Sequence, residues 1–513
     1  MKKIFTLVAV AFASLASFAQ HAEWTAAQLP TELFADKAAA EAAGFNTMWW
    51  SEGSTAQWLG MPAQDLIKTD EVTVSLACPY NYVSVGGGKY AGKEYAYKII
   101  MGMNNSTRDG IDPTYFLEGL TNNDYVRKAG DSDQGNVVND AIIKITTAAT
   151  PEGVDPWTSV VTMKINRAAN AAAFYVVDAT KQKLVVHSMI RNHGDHIAYD
   201  VVRFNIEQGH EYYCMASEKG SVELYSITVD APSCDDFELI ASEENSTSLW
   251  TAAQLPTVKF TTVDEAVAAG FNTLWTLPDY LGMPAQDLVK TDEVTVSLAC
   301  PYNYVSVGGG KYAGKHFAYK LIMGMNNSTR DGIDATYFME GLTNNDYVRK
   351  AGDSDQGNVI NDAILKVNVA PIAEGDPYCG RLILNYGRAA NAGALYVIDS
   401  TKQVPVYQDV TRSPSDNIKM QSAVINVYPG RTYYIMASEK GSVEFYGIGF
   451  CSATSEKYGK LFATTPDAIE LPEAPKAVKA LDVNAPIYNL AGQRVTANFK
   501  GIVLQNGQKY ILR

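Results

Sequence analysis

Apolar and polar residues alternate with period two along most of the chain. EVTVSLACPYNYVSV (Glu71–Val85) alternates until Gly86-Gly87-Gly88 breaks it. EYAYKIIMG (Glu94–Gly102), AIIKITT (Ala141–Thr147), SVVTMKI (Ser159–Ile165) and AAFYVVDA (Ala172–Ala179) follow. KLVVHSMI (Lys183–Ile190), YDVVRFNI (Tyr199–Ile206), HEYYCMAS (His210–Ser217) and SVELYSITV (Ser221–Val229) complete the set. Neighbouring side chains of a strand point to opposite faces, so each segment predicts a strand with one buried face. About nine such strands, separated by Gly, Asn, Asp and Pro turns, predict an antiparallel β-sandwich or barrel. No strand–helix–strand rhythm appears, which argues against a parallel nucleotide-binding sheet. One Ala-rich stretch (Ala35–Ala43) reads as a short helix with Gly44 just past its end.

The same pattern then returns. WTAAQLP at Trp24–Pro30 recurs at Trp250–Pro256, and the helix recurs at Val263–Ala269 before Gly270. The segment Leu59–Leu120 recurs at Leu281–Leu342 with few changes, among them Ile67 to Val289, Glu94 to His316 and Pro113 to Ala335. Identity continues through TNNDYVRKAGDSDQGNV (Thr121–Val137 and Thr343–Val359) and tightens again at MASEKGSVE (Met215–Glu223 and Met436–Glu444). Such a period is far longer than a solenoid repeat, so the unit is a whole domain of about 200 residues, large enough for its own core. After Cys451 the alternation fades into LPEAPKAVKAL, a Pro/Ala/Lys linker. It returns in PIYNLAGQRVTANFKGIVLQNGQKYILR (Pro486–Arg513), with turns at Ala491-Gly492 and Asn506-Gly507.

The expected organisation is a signal peptide over 1–19, a first β-sandwich repeat over 20–240 and a second over 246–452. A linker over 453–481 and a C-terminal β module over 482–513 follow. The signal rests on Lys2 and Lys3, the apolar run Ile4–Phe18, and the small residues around Ser17-Phe18-Ala19, with cleavage near Gln20. No later segment has the roughly 18 apolar residues of a membrane helix. The chain is therefore expected to be exported, secreted or surface-associated. The net charge of −14 argues against a nucleic-acid partner. The six cysteines show no disulfide framework. Cys78 and Cys300 read as buried thiols ending equivalent strands, and Cys214–Cys234 is an open pairing.

Two stretches carry a resemblance. QGHEYYCMASEKGSVELYSITV (Gln208–Val229) and PGRTYYIMASEKGSVEFYGIGF (Pro429–Phe450) resemble the closing strands of jelly-roll modules in secreted bacterial polysaccharide-degrading proteins. NRAAN (Asn166–Asn170) and GRAAN (Gly387–Asn391) stand where that family has its middle strands. The tail, with IYNLAGQRV (Ile487–Val495) and KGIVLQNGQKYILR (Lys500–Arg513), resembles the short C-terminal module of exported Bacteroidetes proteins. Longer versions of that module act as sorting signals for an outer-membrane secretion route. The resemblance implies an all-β protein of two tandem jelly-roll domains, each with a short N-terminal helix, plus a small C-terminal β module. It also implies a carbohydrate-binding role and secretion machinery as a partner.

Aromatic side chains are the best binding material, because sugar rings stack on flat π-faces at low entropic cost. Trp49, Trp50 and Trp58 cluster before the first strand, as do Trp275 and Tyr280 in the second repeat. Tyr80 and Tyr82 recur as Tyr302 and Tyr304. The loops MNNSTRDGID at Met103–Asp112 and Met325–Asp334 add Arg108, Asp109, Arg330 and Asp331 as hydroxyl-binding candidates. DSDQGN places oxygen donors at alternating positions, so Asp131, Asp133, Asp353 and Asp355 are candidate calcium ligands, although the EF-hand spacing is absent. His193 and His196 flank Asp195 in one repeat only, and a surface loop is the simpler reading. GGGK (Gly86–Lys89) lacks the rest of a phosphate loop and reads as a bend. No catalytic signature is present. The expected function is therefore a non-catalytic polysaccharide or surface-glycan binder with two similar modules. A surface adhesin or structural protein is the alternative, and a polysaccharide lyase or glycoside hydrolase the third reading.

Overall fold

The computed structural model describes residues 21–47, 50, 57–77, 81–86, 97–101, 143–154, 156–169, 172–181, 183–190, 200–216, 221–230, 240–272, 280–298, 303–308, 319–323, 365–371, 380–390, 393–401, 404–411, 421–437, 442–452, 455–459 and four short strands after 486. The chain divides into two compact units, 1–461 and 462–513.

Among the described residues the first unit holds two sets of thirteen strands in the same order. The first repeat runs β1 (His21–Thr25), α1 (Lys37–Ala42), β2 (Gln57–Met61), β3 (Gln64–Lys68), β4 (Val72–Leu76), β5 (Asn81–Val85) and β6 (Lys98–Met101). It continues with β7 (Ile143–Thr147), β8 (Thr158–Ala169), β9 (Ala172–Asp178), β10 (Lys183–Ile190), β11 (Asp200–Glu207), β12 (Glu211–Ala216) and β13 (Ser221–Asp230). The second runs β14 (Ser248–Thr251), α2 (Val263–Ala268), β15 (Tyr280–Met283), β16 (Asp287–Lys290), β17 (Val294–Leu298), β18 (Asn303–Ser306) and β19 (Lys320–Met323). It continues with β20 (Leu365–Val369), β21 (Gly380–Ala390), β22 (Gly393–Asp399), β23 (Val404–Thr411), β24 (Gln421–Val427), β25 (Thr432–Ala437) and β26 (Ser442–Cys451).

The architecture is an antiparallel jelly roll. In the first repeat β11-β8-β13-β6 form one sheet and β10-β9-β12-β7 the other, and all neighbours are antiparallel. That is the order produced when a long hairpin of eight strands rolls up, so that first pairs with last and second with second-last. β5 and β2 extend the first sheet, and β4 and β3 the second. The inward residues (Val72, Val74 and Leu76 of β4, Val83 and Val85 of β5, Phe174 and Val176 of β9) fill the core between sheets. Each such side chain contributes roughly 1.5–3 kcal/mol by burial.

The long alternating segment Glu71–Val85 is two strands rather than one. β4 lies in one sheet and β5 in the other, so the chain changes sheets between Leu76 and Asn81. Gly86 then holds a φ of +64°, and a Cβ there would run into Leu33. The predicted helices appear as α1 and α2, each under two turns, with Gly44 and Gly270 at φ of +91° and +89°. Their caps differ: Asp36 accepts from Ala39 N, whereas Thr262 and Glu265 form a reciprocal capping box.

The two repeats share both sheets. β11 pairs with β24 in one sheet and β10 pairs with β23 in the other, giving continuous sheets of fourteen and twelve strands. The registers are Arg203 opposite Val424 and Val186 opposite Tyr407. In the alignment that puts Met215 on Met436, each of these pairs joins equivalent positions of the repeat. Each sheet's strand order also reads the same from both ends once a strand is matched to its counterpart. A pseudo-twofold axis therefore passes between the repeats, as at the isologous interface of a symmetric dimer. Coverage of this edge explains why β11 is buried at all eight positions, whereas the outermost strand β3 is mostly exposed.

Within the stretch expected as linker, Glu456–Gly459 forms a 3-10 turn that closes the first unit. Tyr458 is buried, its ring lies 3.6 Å from the Arg381 guanidinium, and its hydroxyl donates to Asp200 at 2.7 Å. Arg381 Nη1 donates to the Tyr458 carbonyl. Lys457 Nζ donates to the carbonyls of Glu243 and Ser246 in the segment between repeats. One turn thus ties the first repeat, the second repeat and their connection.

In the second unit, β27 (Ile487–Asn489), β28 (Arg494–Val495), β29 (Gly501–Gln505) and β30 (Gln508–Leu512) form an antiparallel sheet in the order β28-β27-β29-β30. The hairpin register brings Gln505 opposite Gln508, as the Asn-Gly pair between them predicts.

Candidate functional site

An open groove of about 460 Å³ lies at the outer end of the second repeat, within the size range of small-ligand sites. Its lining is largely apolar: Trp250 from β14, Leu255 after a 3-10 turn at Ala252–Gln254, Met283 at the end of β15, and Phe271 beyond α2. Its exposed lining is polar, with Gln254, Gln286 and Asp287. Local rules place each part. Gly270 ends α2 and returns the chain so that Phe271 packs against Phe260, with ring centroids 5.7 Å apart. Asn272 pairs with Gly282 of β15 in an antiparallel bridge. Asp287 accepts from Ser297 Oγ at 2.8 Å and lies 3.4 Å from Lys290 Nζ. The Ser297 hydrogen bond, followed by Lys290, holds its carboxyl below the usual carboxylate range, so it stays ionised.

The first repeat carries the same residues at the equivalent positions: Trp24, Gln28, Leu29, Phe45, Met61, Gln64 and Asp65. The contacts match as well. Phe34 and Phe45 are 5.7 Å apart, Ser75 Oγ donates to Asp65 at 2.7 Å, and Asn46 pairs with Gly60. Outward positions of the adjoining helices have changed meanwhile, Lys37 to Val263 and Glu41 to Val267, all four exposed. Exposed Gln28 and Gln254 are nevertheless the same residue.

Of the residues expected from sequence, Trp50, Trp58, Tyr82 and Tyr304 are described, Trp50 being half-buried against the core, and Tyr280 lies in β15. Trp58 of β2 is half-buried and stacks parallel on Tyr82 of β5, with centroids 5.4 Å apart and planes 9° apart. Tyr82 and Tyr304 are buried, and burial raises the Tyr82 phenol far above its ordinary value. They are supports rather than contact surfaces. Trp49, Tyr80, Arg108, Asp109, Trp275, Tyr302, Arg330, Asp331 and the calcium candidates Asp131, Asp133, Asp353 and Asp355 lie outside the described residues, as do His193 and His196. Among the described residues no group of three or more His, Cys, Asp or Glu is placed to hold a metal ion. The groove residues Gln254, Phe271, Gln286 and Asp287 were not singled out in the sequence. Their exact recurrence beside a diverged helix is the signal that marks them.

Polar clusters elsewhere are closed. Lys98 and Glu223 pair at 2.6 Å with Tyr225 donating to Glu223, and Lys320, Glu444 and Tyr446 repeat the arrangement, all buried. Asp178 bonds His210 Nδ1 at 2.7 Å and Glu207 bonds Lys181 Nζ at 3.0 Å. The cavity beside them measures about 30 Å³, room for water but not for a sugar ring. In the second repeat, Arg431 and Asp399 pair at 2.8 Å in place of His210 and Asp178. Cys214 and Cys451 are free thiols, which removes the Cys214–Cys234 pairing. No described helix is long and apolar enough to cross a membrane.

No protein-family model matches the chain, and no curated protein matches it. Among solved structures, the chain is similar to the N-terminal CBM22-1–CBM22-2 tandem domain of Paenibacillus barcinonensis Xyn10C, at 8% identity and a TM-score of 0.16, covering 64% of this chain and 90% of that one. It is also similar to vicilin from Corylus avellana (hazelnut), at 10% identity and a TM-score of 0.11, covering 76% and 84%. The jelly-roll assignment rests on the strand order above, not on these superpositions.

Proposed function

We propose that the protein is an exported, non-catalytic carbohydrate-binding protein with one glycan site in each repeat. The groove is the observation that carries this reading. An apolar floor with an aromatic edge takes the C–H face of a sugar, while two primary amides and an ionised carboxylate on the rim pair with its hydroxyls. Trp58, half-buried and backed by Tyr82, lies on β2, the strand that ends at Met61, and adds an aromatic face. Calcium bound by Asp131, Asp133, Asp353 and Asp355 belongs to the same reading as a structural ion. The four-stranded tail serves as the sorting module for surface delivery.

A broad array of plant, microbial and animal glycans tests the reading directly. Binding to at least one glycan class, lost when Phe45→Ala and Phe271→Ala are combined and reduced by Trp58→Ala, is the expected result. An intact, folded protein that retains no glycan on that array refutes it.

A further inference from the structure

We propose that the groove of the second repeat selects uncharged sugars and rejects acidic ones, with Asp287 as the residue that sets the preference. This inference rests on the carbohydrate reading above and names the class of glycan. Its basis is the chemistry of the lining. Trp250, Leu255, Phe271 and Met283 offer apolar contact, and Gln254 and Gln286 offer neutral amides. Among the described residues of the lining, Asp287 alone carries a charge, and none is Lys, Arg or His.

Uronic, sialic and sulfated sugars carry a negative charge. A protein that holds such a group meets it with Arg or Lys, in charge-assisted and often bidentate hydrogen bonds. The lining offers no such fork. An acidic ring would instead meet a carboxylate that stays ionised, because Ser297 donates to it and Lys290 lies beside it. Lys290 is exposed on β16, 3.4 Å from Asp287. A ligand that engaged this ammonium would set its own carboxylate next to that of Asp287.

The surroundings reinforce the sign. α2 ends one residue before Ala269 of the lining, and it carries Asp264 and Glu265 without a basic residue. Glu265 precedes Ala269 by about 6 Å along the helix axis, inside the Debye length of ~8 Å at physiological salt. Hydrogen bonds from Thr261, then Thr262, hold its carboxyl below the usual range. Asp292 and Glu293 follow β16, and the basic residues of the described span 250–293 are Lys259 and Lys290. Carboxylates therefore outnumber cations around the site. An uncharged ring carries no net charge for this field to repel, and its hydroxyls find strong acceptors in the Asp287 oxygens. One group thus attracts one class of sugar and repels the other, so the preference has a repulsive element built in.

The test uses the full chain and hexasaccharides in matched pairs. β-Linked glucan and mannan are each set beside the form whose primary hydroxyls are oxidised to carboxylates. Galacturonan methyl ester is set beside its free acid, and xylan beside xylan with glucuronic acid branches. Calorimetry at low and at high salt reads the ratio of affinities within each pair. The expected result is a preference of at least about tenfold for the uncharged member of every pair that binds, shrinking as salt screens the field. Asp287→Asn should lower the affinity for the uncharged member without lowering it for the acidic one, so that the ratio closes. Asp65 stands at the equivalent position of the first repeat, so the Asp65→Asn, Asp287→Asn double variant reads both repeats at once. Equal or tighter binding of the acidic members, or a preference that the double variant keeps in full, overturns the inference while leaving the carbohydrate reading in place. Failure of every member, charged and uncharged, to bind overturns both.

Discussion

Arg203 stands directly opposite Val424 in the strand pair that joins the two repeats, and the two residues occupy the same position of the repeat. In a dimer of identical subunits a residue on the axis faces itself, and arginine there would meet arginine. Covalent duplication has allowed the two copies to become complementary instead. Arg203 reaches Ser422 Oγ of the second repeat at 2.7 Å, Thr162 Oγ1 at 3.0 Å and Asp230 at 3.2 Å, while Val424 is fully buried. Tyr407 meets the small Val186 in the other sheet, and its hydroxyl bonds Tyr386 at 2.6 Å and Asn205 at 3.1 Å. Val424→Arg restores the like-charged pair in a buried strand and is expected to cost at least about 3 kcal/mol. Urea denaturation checks this, and a wild-type midpoint for the variant would count against the axis as described.

The closing turn predicts a second, separable effect. Arg381 is buried completely, and its charge is met by Asp200 at 3.9 Å and by the ring and carbonyl of Tyr458. Tyr458→Ala removes the stacking partner and opens the site, for an expected loss of about 3–5 kcal/mol. Tyr458→Phe keeps the ring and loses only the hydroxyl bond to Asp200, about 1.5–3 kcal/mol. Thermal unfolding of the full chain should rank the three proteins in that order.

Much of this fold was legible because strands with one buried face advertise themselves. β10 falls at the very residues the alternation marks, and β7, β9, β12 and β13 within one or two. β1, β2 and β3 were not legible. β1 is only five residues around Trp24, and β2 carries Gly60 and mostly buried positions, so neither alternates. The join between repeats was invisible for a different reason. A fully buried β11 reads as an ordinary core strand, and nothing in its own composition says that the neighbour on its open side lies in the other repeat. The aromatic emphasis picked half-buried Trp58 together with buried Tyr82 and Tyr304, because composition does not separate a partly open ring from the buried one behind it.

Acid should weaken the protein through His187. The residue is half-buried with Nδ1 shielded from solvent, and its ring stacks on Tyr175 at 4.7 Å. Burial, and then the nearby charge of Arg431, push its pKa down to about 4. The unfolded chain takes up a proton near pH 6.5 and the folded chain does not, so stability is present above that pH and is lost as pH falls towards 4. The loss reaches roughly 3 kcal/mol. The second repeat carries Gln408 at this position. His187→Gln should flatten the stability profile between pH 6.5 and 4, and an unchanged slope would show that other groups set it.

Cys214 and Cys451 predict distinct thiol behaviour. Cys214 is fully buried in the core, and burial raises its thiol far above the ordinary value. Cys451 rises to about 11, chiefly through burial, with Arg381 and Lys457 pulling the other way. The thiolate is the reactive form, so both should resist alkylation in the native protein. Mass spectrometry after iodoacetamide treatment should find them labelled only once urea passes the unfolding midpoint. Rapid native labelling of Cys214 would mean that β12 opens far more readily than a central strand should.

The groove carboxylates give the binding reading a pH signature. Hydrogen bonds from Ser75 and Ser297, then from Lys68 and Lys290, hold Asp65 and Asp287 below the usual carboxylate range. They remain ionised throughout mildly acidic solution, so glycan retention should be level between about pH 8 and 5 and fall only in stronger acid. Asp287→Asn keeps the shape and can still pair with hydroxyls, but loses the charge that strengthens those bonds. The charged acceptor is worth roughly 1.5–3 kcal/mol against about 1 for a neutral one, so the affinity of that groove should fall on the order of tenfold. Because both groups are exposed, the folding midpoint should stay within about 0.5 kcal/mol of wild type. Calorimetric titration of the Asp65→Asn and Asp287→Asn variants, separately and together, measures each groove on its own. Equal binding by the double variant and wild type would remove these carboxylates from the site.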